Sequence, residues 1–379
     1  MMSLLLIDTR ASVNNPRSNN LDSWPLPVRF TTALATDCDC PVSTGPADRM
    51  ALRYPVIYAL ELTPTCNNRC PGCSNSFIEE KKTRRMVRPH QAMDLTQWET
   101  ILDLIAPHVQ HLRLTGGEAT LHPQFAKIVQ AVQQRDLRFA VFTNGRWRDP
   151  NGLIEILAAT PHCTSLLISL HGATAEAHEA FTGIPGSFAE TIANIQRAAQ
   201  AGLVVHTNTV LTRPNHTQLG AIVALSHALG SGCAIFNRYV GPSVPELALP
   251  LHELRHALYE VEQIGSTGLP TKLGTCIPTC FANTSAAGCL AGLAFCTVDP
   301  WGNVRPCTHA SQSAGNLFTA SLEQLWHSAT LQTWRQMIPE HCRDCSVLSL
   351  CNAGCRADAA LSPTPQHALM VIPTHVSVP

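Results

Sequence analysis

The chain carries little charge and almost no net charge. Only 14% of its 379 residues are Asp, Glu, Lys or Arg, and 26 basic residues face 27 acidic ones. That balance gives no argument for a nucleic acid or an acidic membrane as partner. No apolar run reaches the roughly 18 residues that span a bilayer. The start, Met1-Met2-Ser3-Leu4-Leu5-Leu6-Ile7-Asp8, lacks a basic n-region, and its apolar stretch is too short for a secretory signal. A cytoplasmic chain is expected, with its thiols kept reduced. In that setting 16 cysteines argue against a disulfide framework and for metal or cluster ligation.

The cysteines are unevenly spread. Cys38 and Cys40 lie early, Cys66, Cys70 and Cys73 cluster, Cys163 and Cys233 stand alone, and nine fall between Cys276 and Cys355. The isolated pair reads as core. This shift in composition divides the chain. Residues 1–53 show no sustained periodicity and read as an irregular arm. Residues 54–241 alternate short apolar runs with helical patterns. A Pro-rich break at Gly241–Pro250 opens a linker and bridging helix over 242–275. A cysteine-rich unit follows over 276–365, then a tail over 366–379.

In the middle stretch, strands are expected at Val56–Leu62, His111–Leu114, Phe139–Thr143, Ser165–Leu170, Val204–Leu211 and Ala234–Tyr239. Helical patterns separate them, at Leu95–Ile105, Pro123–Arg135, Leu153–Ala159, Phe188–Ala201 and Gln218–Leu229. Repeated strand–helix units imply a parallel sheet. Six units are too few for a closed eight-stranded barrel, so the expected fold is α/β, a partial (β/α)6 barrel. Functional groups in such folds collect at the C-terminal strand ends. There the sequence places the three-cysteine loop, Gly116-Gly117-Glu118, Asn144-Gly145, Ser169, Asn208 and Arg238.

The run Cys66-Asn67-Asn68-Arg69-Cys70-Pro71-Gly72-Cys73 has C-x3-C-x2-C spacing. Three thiolates on one tight loop suit a cubane iron–sulfur cluster with one iron unligated. With Gly116-Gly117-Glu118 after the second strand, the chain resembles the radical S-adenosylmethionine (SAM) enzymes over roughly residues 54–240. The resemblance implies that Cys66, Cys70 and Cys73 hold a [4Fe-4S] cluster whose open iron chelates SAM. It also implies formation of a 5′-deoxyadenosyl radical that abstracts a hydrogen atom. Glu118 is expected to supply charge to the SAM ammonium, while Gly116 and Gly117 let backbone carbonyls approach. Ser169, Asn208 and Arg238 are further SAM-contact candidates. The family often has an aromatic residue before the third cysteine; here it is Gly72, so adenine contact is expected from elsewhere, such as the backbone near Phe236. A zinc site is the competing reading, but zinc usually takes four ligands.

The C-terminal spacing is Cys289-x6-Cys296-x5-Gly302-x4-Cys307, then Cys342-x2-Cys345-x5-Cys351-x3-Cys355. It resembles the SPASM module of radical SAM maturases. By resemblance, Cys289, Cys296, Cys307 and Cys355 hold a first auxiliary cluster, and Cys342, Cys345 and Cys351 a second. The family's last cysteine is missing after Cys355. The second cluster is then either three-coordinate or borrows Cys276, Cys280, His367 or Asp358. An open iron would bind a substrate thiolate or amide; a degenerate site is the bland alternative.

The leading expectation is a radical SAM maturase of a ribosomally made peptide. Hydrogen abstraction would lead to a cross-link, a cleavage or an excision. Its expected partners are the peptide, a separate leader-recognition protein, and an electron donor such as flavodoxin or ferredoxin. An anaerobic sulfatase maturase is one alternative. Thr308 stands where that class has an acidic base, which leaves His309 as a substitute, and His309 and Arg238 are the catalytic candidates. A tetrapyrrole-pathway enzyme and a non-catalytic metal scaffold complete the set; the Gly-Gly-Glu run argues against the scaffold.

Overall fold

The computed structural model describes residues 51–75, 92–284 and 288–361. Most of the expected arm, the tail, Cys38, Cys40 and His367 lie outside the described residues. Ten strands form one sheet in the order β10-β9-β8-β1-β2-β3-β4-β5-β6-β7. The order is linear, with β10 and β7 at its two edges, so the ring is open. Strands β1 (Ile57–Glu61), β2 (His111–Thr115), β3 (Phe139–Thr143), β4 (Cys163–Ser169), β5 (Val205–Leu211) and β6 (Cys233–Arg238) pair in parallel succession. Each expected strand is present to within two residues at either end.

Helices lie between the strands: α1 (Leu95–Ile105), α2 (Phe125–Gln134), α3 (Pro150–Ala158), α4 (Ala175–Thr182), α5 (Ser187–Gln200) and α6 (Leu219–Ala228). Asp94 opens α1 with a capping box, its side chain accepting from the Gln97 N–H, which satisfies donors the first turn leaves orphaned. Trp98, Ile101, Leu102 and Ile105 recur on one face of α1 and meet Tyr58, Leu60 and Leu62 of the β1 segment in the main core. Burying each such large side chain contributes about 1.5–3 kcal/mol. The sequence reading missed α4, which is short and polar; Thr174 caps its start and Gly183, at φ +68°, ends it.

The sheet does not stop at the expected unit boundaries. Strand β7 (Thr271–Leu273) extends it from within the stretch read as linker, after helix α7 (Leu251–Ser266). Strand β8 (Phe295–Val298) of the cysteine-rich half pairs in parallel with β1, and β9 (Asn303–Arg305) and β10 (Gly315–Asn316) follow antiparallel. A three-residue strand leaves too little periodicity to be seen in a sequence. Two further helices follow, α8 (Leu322–Trp326) and α9 (Ala329–Gln336). Ser328 caps the second by accepting from Leu331 N–H, so the chain turns there. Among the described residues no helix is long and apolar enough to cross a membrane.

Candidate functional site

The three-thiol loop leaves the C-terminal end of β1. Its neighbours fix it. Asn67 donates from Nδ2 to the Arg146 carbonyl at 2.8 Å and accepts from Asn144 Nδ2 at 2.7 Å. Arg146 donates to the Asn67 carbonyl at 2.8 Å and to Asn68 Oδ1 at 3.0 Å, while its other edge meets Glu190. Arg69 N–H donates to the Thr182 carbonyl at 2.9 Å, at the end of α4. The loop then turns, with Cys73 N–H on the Cys70 carbonyl at 3.2 Å. Burial pushes the Cys70 thiol up, and Cys73 and Cys66 beside it add to that. Three thiols are therefore grouped at this strand end.

Zinc takes ligands converging on one point, usually four of them. Three thiols set on one loop fit a cluster that spreads its ligands over separate irons.

Gly116 and Gly117 lie against the segment following β1. A Cβ on Gly116 would come within 2.6 Å of the Thr63 carbonyl oxygen, and one on Gly117 within 2.5 Å of that of Thr65. Gly117 N–H donates to Thr63 at 2.8 Å and Glu118 N–H to Thr65 at 2.8 Å. This backbone ladder carries the Gly-Gly run alongside the cysteine loop, and Asn75 Nδ2 donates to the Gly116 carbonyl at 2.9 Å.

Glu118 itself is tied into the surrounding strand ends. Its Oε1 accepts from the hydroxyls of Thr120 at 2.7 Å and Thr143 at 2.8 Å, and Oε2 accepts from Asn144 N–H at 2.7 Å. The carboxyl is fully buried, and burial raises its pKa although these bonds pull the other way. Both oxygens are engaged, and the side chain braces the ends of β2 and β3. Trp147 Nε1–H extends the brace by donating to Thr143 Oγ1 at 2.8 Å.

Ser169 lies in register with Asn208 across β4 and β5, and Asn237 of β6 donates to Asn208 Oδ1. These three polar side chains share adjoining strand ends. Arg238 goes elsewhere. It is buried, pairs with Asp358 Oδ2 at 3.0 Å, and stands beside Cys355 and Cys276. Arg238 thus faces the cysteine-rich half, and Asp358 is occupied by it rather than by the second cysteine group.

Gly72 has no room for a side chain. A Cβ there would lie 2.6 Å from Leu247 Cδ1 and 2.7 Å from Tyr239 Cε2. Tyr239, just past β6, therefore puts the aromatic ring beside the third cysteine; its hydroxyl donates to the Pro242 carbonyl at 2.5 Å. Burial, with Cys73 nearby, pushes this phenol up to about 12. Phe236 is a buried core residue packed with α6 and α7. Nothing in the sequence around Gly72 signals Tyr239, which arrives from more than 160 positions away.

In the C-terminal half the thiols form two groups. Cys276, Cys289, Cys307 and Cys355 share one small core with Val240, Trp334 and Phe295. The Cys276 thiol donates to Cys289 and Cys355. Those bonds pull both acceptors down, Cys289 to about 6, against the opposing effect of burial. Arg356 stands at Cys289 and Arg238 at Cys355. Cys296 is not in this group. It sits on β8 opposite Tyr58 of β1, in the main core. Its place is taken by Cys276, which the spacing pattern did not reach.

The second group is Cys342, Cys345 and Cys351 with Cys280. Burial pushes the Cys342 thiol up to about 11, and the next causes are Cys280, Cys351 and Cys345. Cys163 and Cys233 are strand-end core residues, as read. His309 is half-buried; desolvation and the nearby Arg238 and Arg305 push the imidazole down to about 4, which makes it a poor base.

Comparison with known proteins agrees with this geometry. The model of the Radical SAM superfamily matches residues 60–222, and the SPASM model, an iron-sulfur cluster-binding domain, matches residues 289–346. Curated relatives include an AdoMet-dependent heme synthase of Methanosarcina barkeri, 26% identical, aligned over 80% of this chain and 92% of that one. A mycofactocin maturase of Mycobacterium ulcerans is 29% identical over 81% of this chain and 84% of its own. A PqqA peptide cyclase of Ruegeria pomeroyi is 26% identical over 84% and 87%. Among solved structures, Streptococcus suis SuiB bound to precursor peptide SuiA aligns with a TM-score of 0.69 at 17% identity, over 84% of this chain and 75% of that one.

Proposed function

Because the chain belongs to the radical SAM superfamily and carries a SPASM iron–sulfur domain, we propose that it is a maturase of a ribosomally made precursor peptide. The observation that carries the enzymatic reading is the pinned three-thiol loop beside the Gly116–Gly117 backbone at one set of strand ends. In this reading Cys66, Cys70 and Cys73 hold the first cluster, and Cys276, Cys289, Cys307 and Cys355 an auxiliary one. When bound, the first cluster and SAM supply reductive cleavage of SAM and abstraction of a hydrogen atom from the substrate.

The chain's own residues do the rest. Asn67, Asn68, Asn144 and Arg146 hold the loop still. Glu118 locks the ends of β2 and β3 together, which sets the Gly116 and Gly117 carbonyls for an amino-acid head group. Ser169 and Asn208 offer polar edges to the remainder of SAM. Arg238 and Arg356 place positive charge at the auxiliary thiolates, where it stabilises a reduced centre. An auxiliary centre that takes up an electron suits an oxidative cross-link. A flavodoxin or ferredoxin would deliver the priming electron, a separate protein would present the peptide leader, and a cytoplasmic setting would keep the thiols reduced.

The peptide reading draws on the named peptide cyclase relative and on the fold shared with SuiB. A tetrapyrrole substrate is the second reading, favoured by the heme synthase, whose length this chain matches almost throughout. Sulfatase maturation loses ground because the residue after Cys307 is Thr308 and the His309 imidazole, held down to about 4, is a poor base. The deciding experiment is anaerobic turnover with SAM and reductant, offering either a candidate precursor peptide or an iron tetrapyrrole. The proposal expects a mass change in the peptide coupled to 5′-deoxyadenosine. Coupling to the tetrapyrrole instead would transfer the assignment to the second reading.

A further inference from the structure

We propose that the Cys276–Cys280 loop is divided between the two auxiliary centres: Cys276 closes the first, and Cys280 supplies, from upstream, the fourth ligand of the second. The inference rests on reading these thiol groups as iron–sulfur sites. Both cysteines lie before the stretch matched by the SPASM model, which begins at residue 289.

Two loops of equal span face one another. One runs Cys276-Ile277-Pro278-Thr279-Cys280, the other Cys351-Asn352-Ala353-Gly354-Cys355. Pro278, midway along the first loop, rests on Gly354, next to Cys355 in the second, where an added Cβ would lie 2.8 Å from Pro278 Cγ. Cys276 at one end meets Cys355, within the shared apolar cluster. The loops are therefore antiparallel, which carries Cys280 to the Cys351 end. Cys351 and Cys345 are the thiols whose charge reaches Cys280.

The second loop is built to separate its cysteines. Asn352, Ala353 and Gly354 all adopt left-handed conformations, with φ of 52°, 60° and 74°. Two non-glycine residues in succession there are costly and persist only where the surroundings enforce them. Asn352 is held by its Nδ2 donating to the Cys289 carbonyl at 3.0 Å. Cys351 is thus sent toward Cys342 and Cys345, and Cys355 toward Cys289 and Cys307. Proline at 278 fixes φ in the facing loop, so the Cys276 and Cys280 side chains are divided in the same sense.

A fourth thiolate alters what the second centre can do. A centre closed by four cysteines keeps no iron free for a substrate thiolate or amide. It also lies toward the outside, since Cys280 and Cys345 are both exposed. A closed, exposed cluster is fitted to passing electrons, leaving substrate chemistry to the first site.

The test compares anaerobically reconstituted wild type with Cys280→Ala, Cys280→Ser and Cys296→Ala. Iron, sulfide and low-temperature EPR of the reduced proteins are measured. Wild type and Cys296→Ala should hold about twelve irons, four for each cluster. Cys280→Ala should lose about one to four of them, with one reduced-cluster signal missing or altered. Cys280→Ser, which keeps an oxygen ligand, should retain iron but shift that signal. SAM-dependent change of the N-terminal signal, preserved in each variant, shows that the chain has folded. Iron content and spectra of both Cys280 variants identical to wild type would overturn the inference, as would a wild type that never loads a third cluster. Absence of any SAM response in wild type would instead defeat the functional reading, while the iron count still judged Cys280.

Discussion

The carboxylate of Glu118 accepts the backbone N–H of Asn144 at 2.7 Å, so the acid that ends the Gly-Gly-Glu run holds the turn after β3. Asn144 in turn donates to Asn67 in the cysteine loop. Glu118→Gln places an amide N–H2 among donors and leaves at least one of them unmatched. The loss of such a buried acceptor costs about 1–3 kcal/mol. Thermal denaturation should show that loss, and SAM affinity should fall while iron at the first site stays unchanged. A wild-type melting curve for the variant would remove the bracing role.

Tyr239 fills the space that a side chain at position 72 would need. Gly72→Phe alone should disrupt the loop and reduce iron loading. Adding Tyr239→Ala should recover much of it, since the new ring then occupies the vacated volume. Equal loading in the single and double variants would show that the two positions do not compete.

Arg305 on β9 reaches across the sheet to Glu61, the last residue of β1, and both are buried. This ion pair joins the cysteine-rich half to the strand that launches the cluster loop. Removing one partner strands the other without compensation, at about 3–5 kcal/mol. Glu61→Met, which leaves the permanently charged guanidinium of Arg305 buried without its partner, should therefore be severely destabilised in a urea titration. Glu61→Met with Arg305→Met should be far less so, because neither charge remains buried alone.

Acid should destabilise the fold before it dissolves any cluster. Burial holds the imidazoles of His111, His178 and His206 down to about 3, 4 and 4. Each stays neutral when folded and takes up a proton when unfolded, so its contribution is complete above the ordinary value of 6.5 and is lost as pH falls toward 4. Between pH 7 and pH 5 the cost is about 2 kcal/mol for each histidine. Glu61 acts oppositely: burial raises it to about 7, so the folded state takes its proton first and gains on acidification. Glu118, also raised by burial, acts in the same sense as Glu61, but the three histidines outweigh the two glutamates, and urea midpoints should fall across this range. His178→Asn, which keeps the acceptor for His171 N–H, should flatten the slope by about a third of the histidine contribution.

The parallel strands were legible because each is a short apolar run ended by Gly, Asn or Thr, a pattern imposed by burial on both faces. The cysteine loop was legible because local spacing alone determines its geometry. What escaped depended on distance along the chain. Strand β8 pairs with β1 across more than 230 residues, and no local pattern tells a strand which edge it will join. Cys296 fits the spacing of the auxiliary motif, but the pairing register turns it toward Tyr58 and the core. Cys276 lies outside that spacing and is brought in by the facing loops. Glu118 reads as a free charge until the Thr143 and Asn144 donors are seen around it.

The most direct test is the EPR spectrum of the reduced, anaerobically loaded protein before and after SAM is added, with 5′-deoxyadenosine measured in the same sample. The account predicts that the signal lost in Cys66→Ala is the one SAM alters in wild type, and that 5′-deoxyadenosine accumulates only when that signal is present. A spectrum indifferent to SAM, with no 5′-deoxyadenosine from a fully loaded chain, would contradict it.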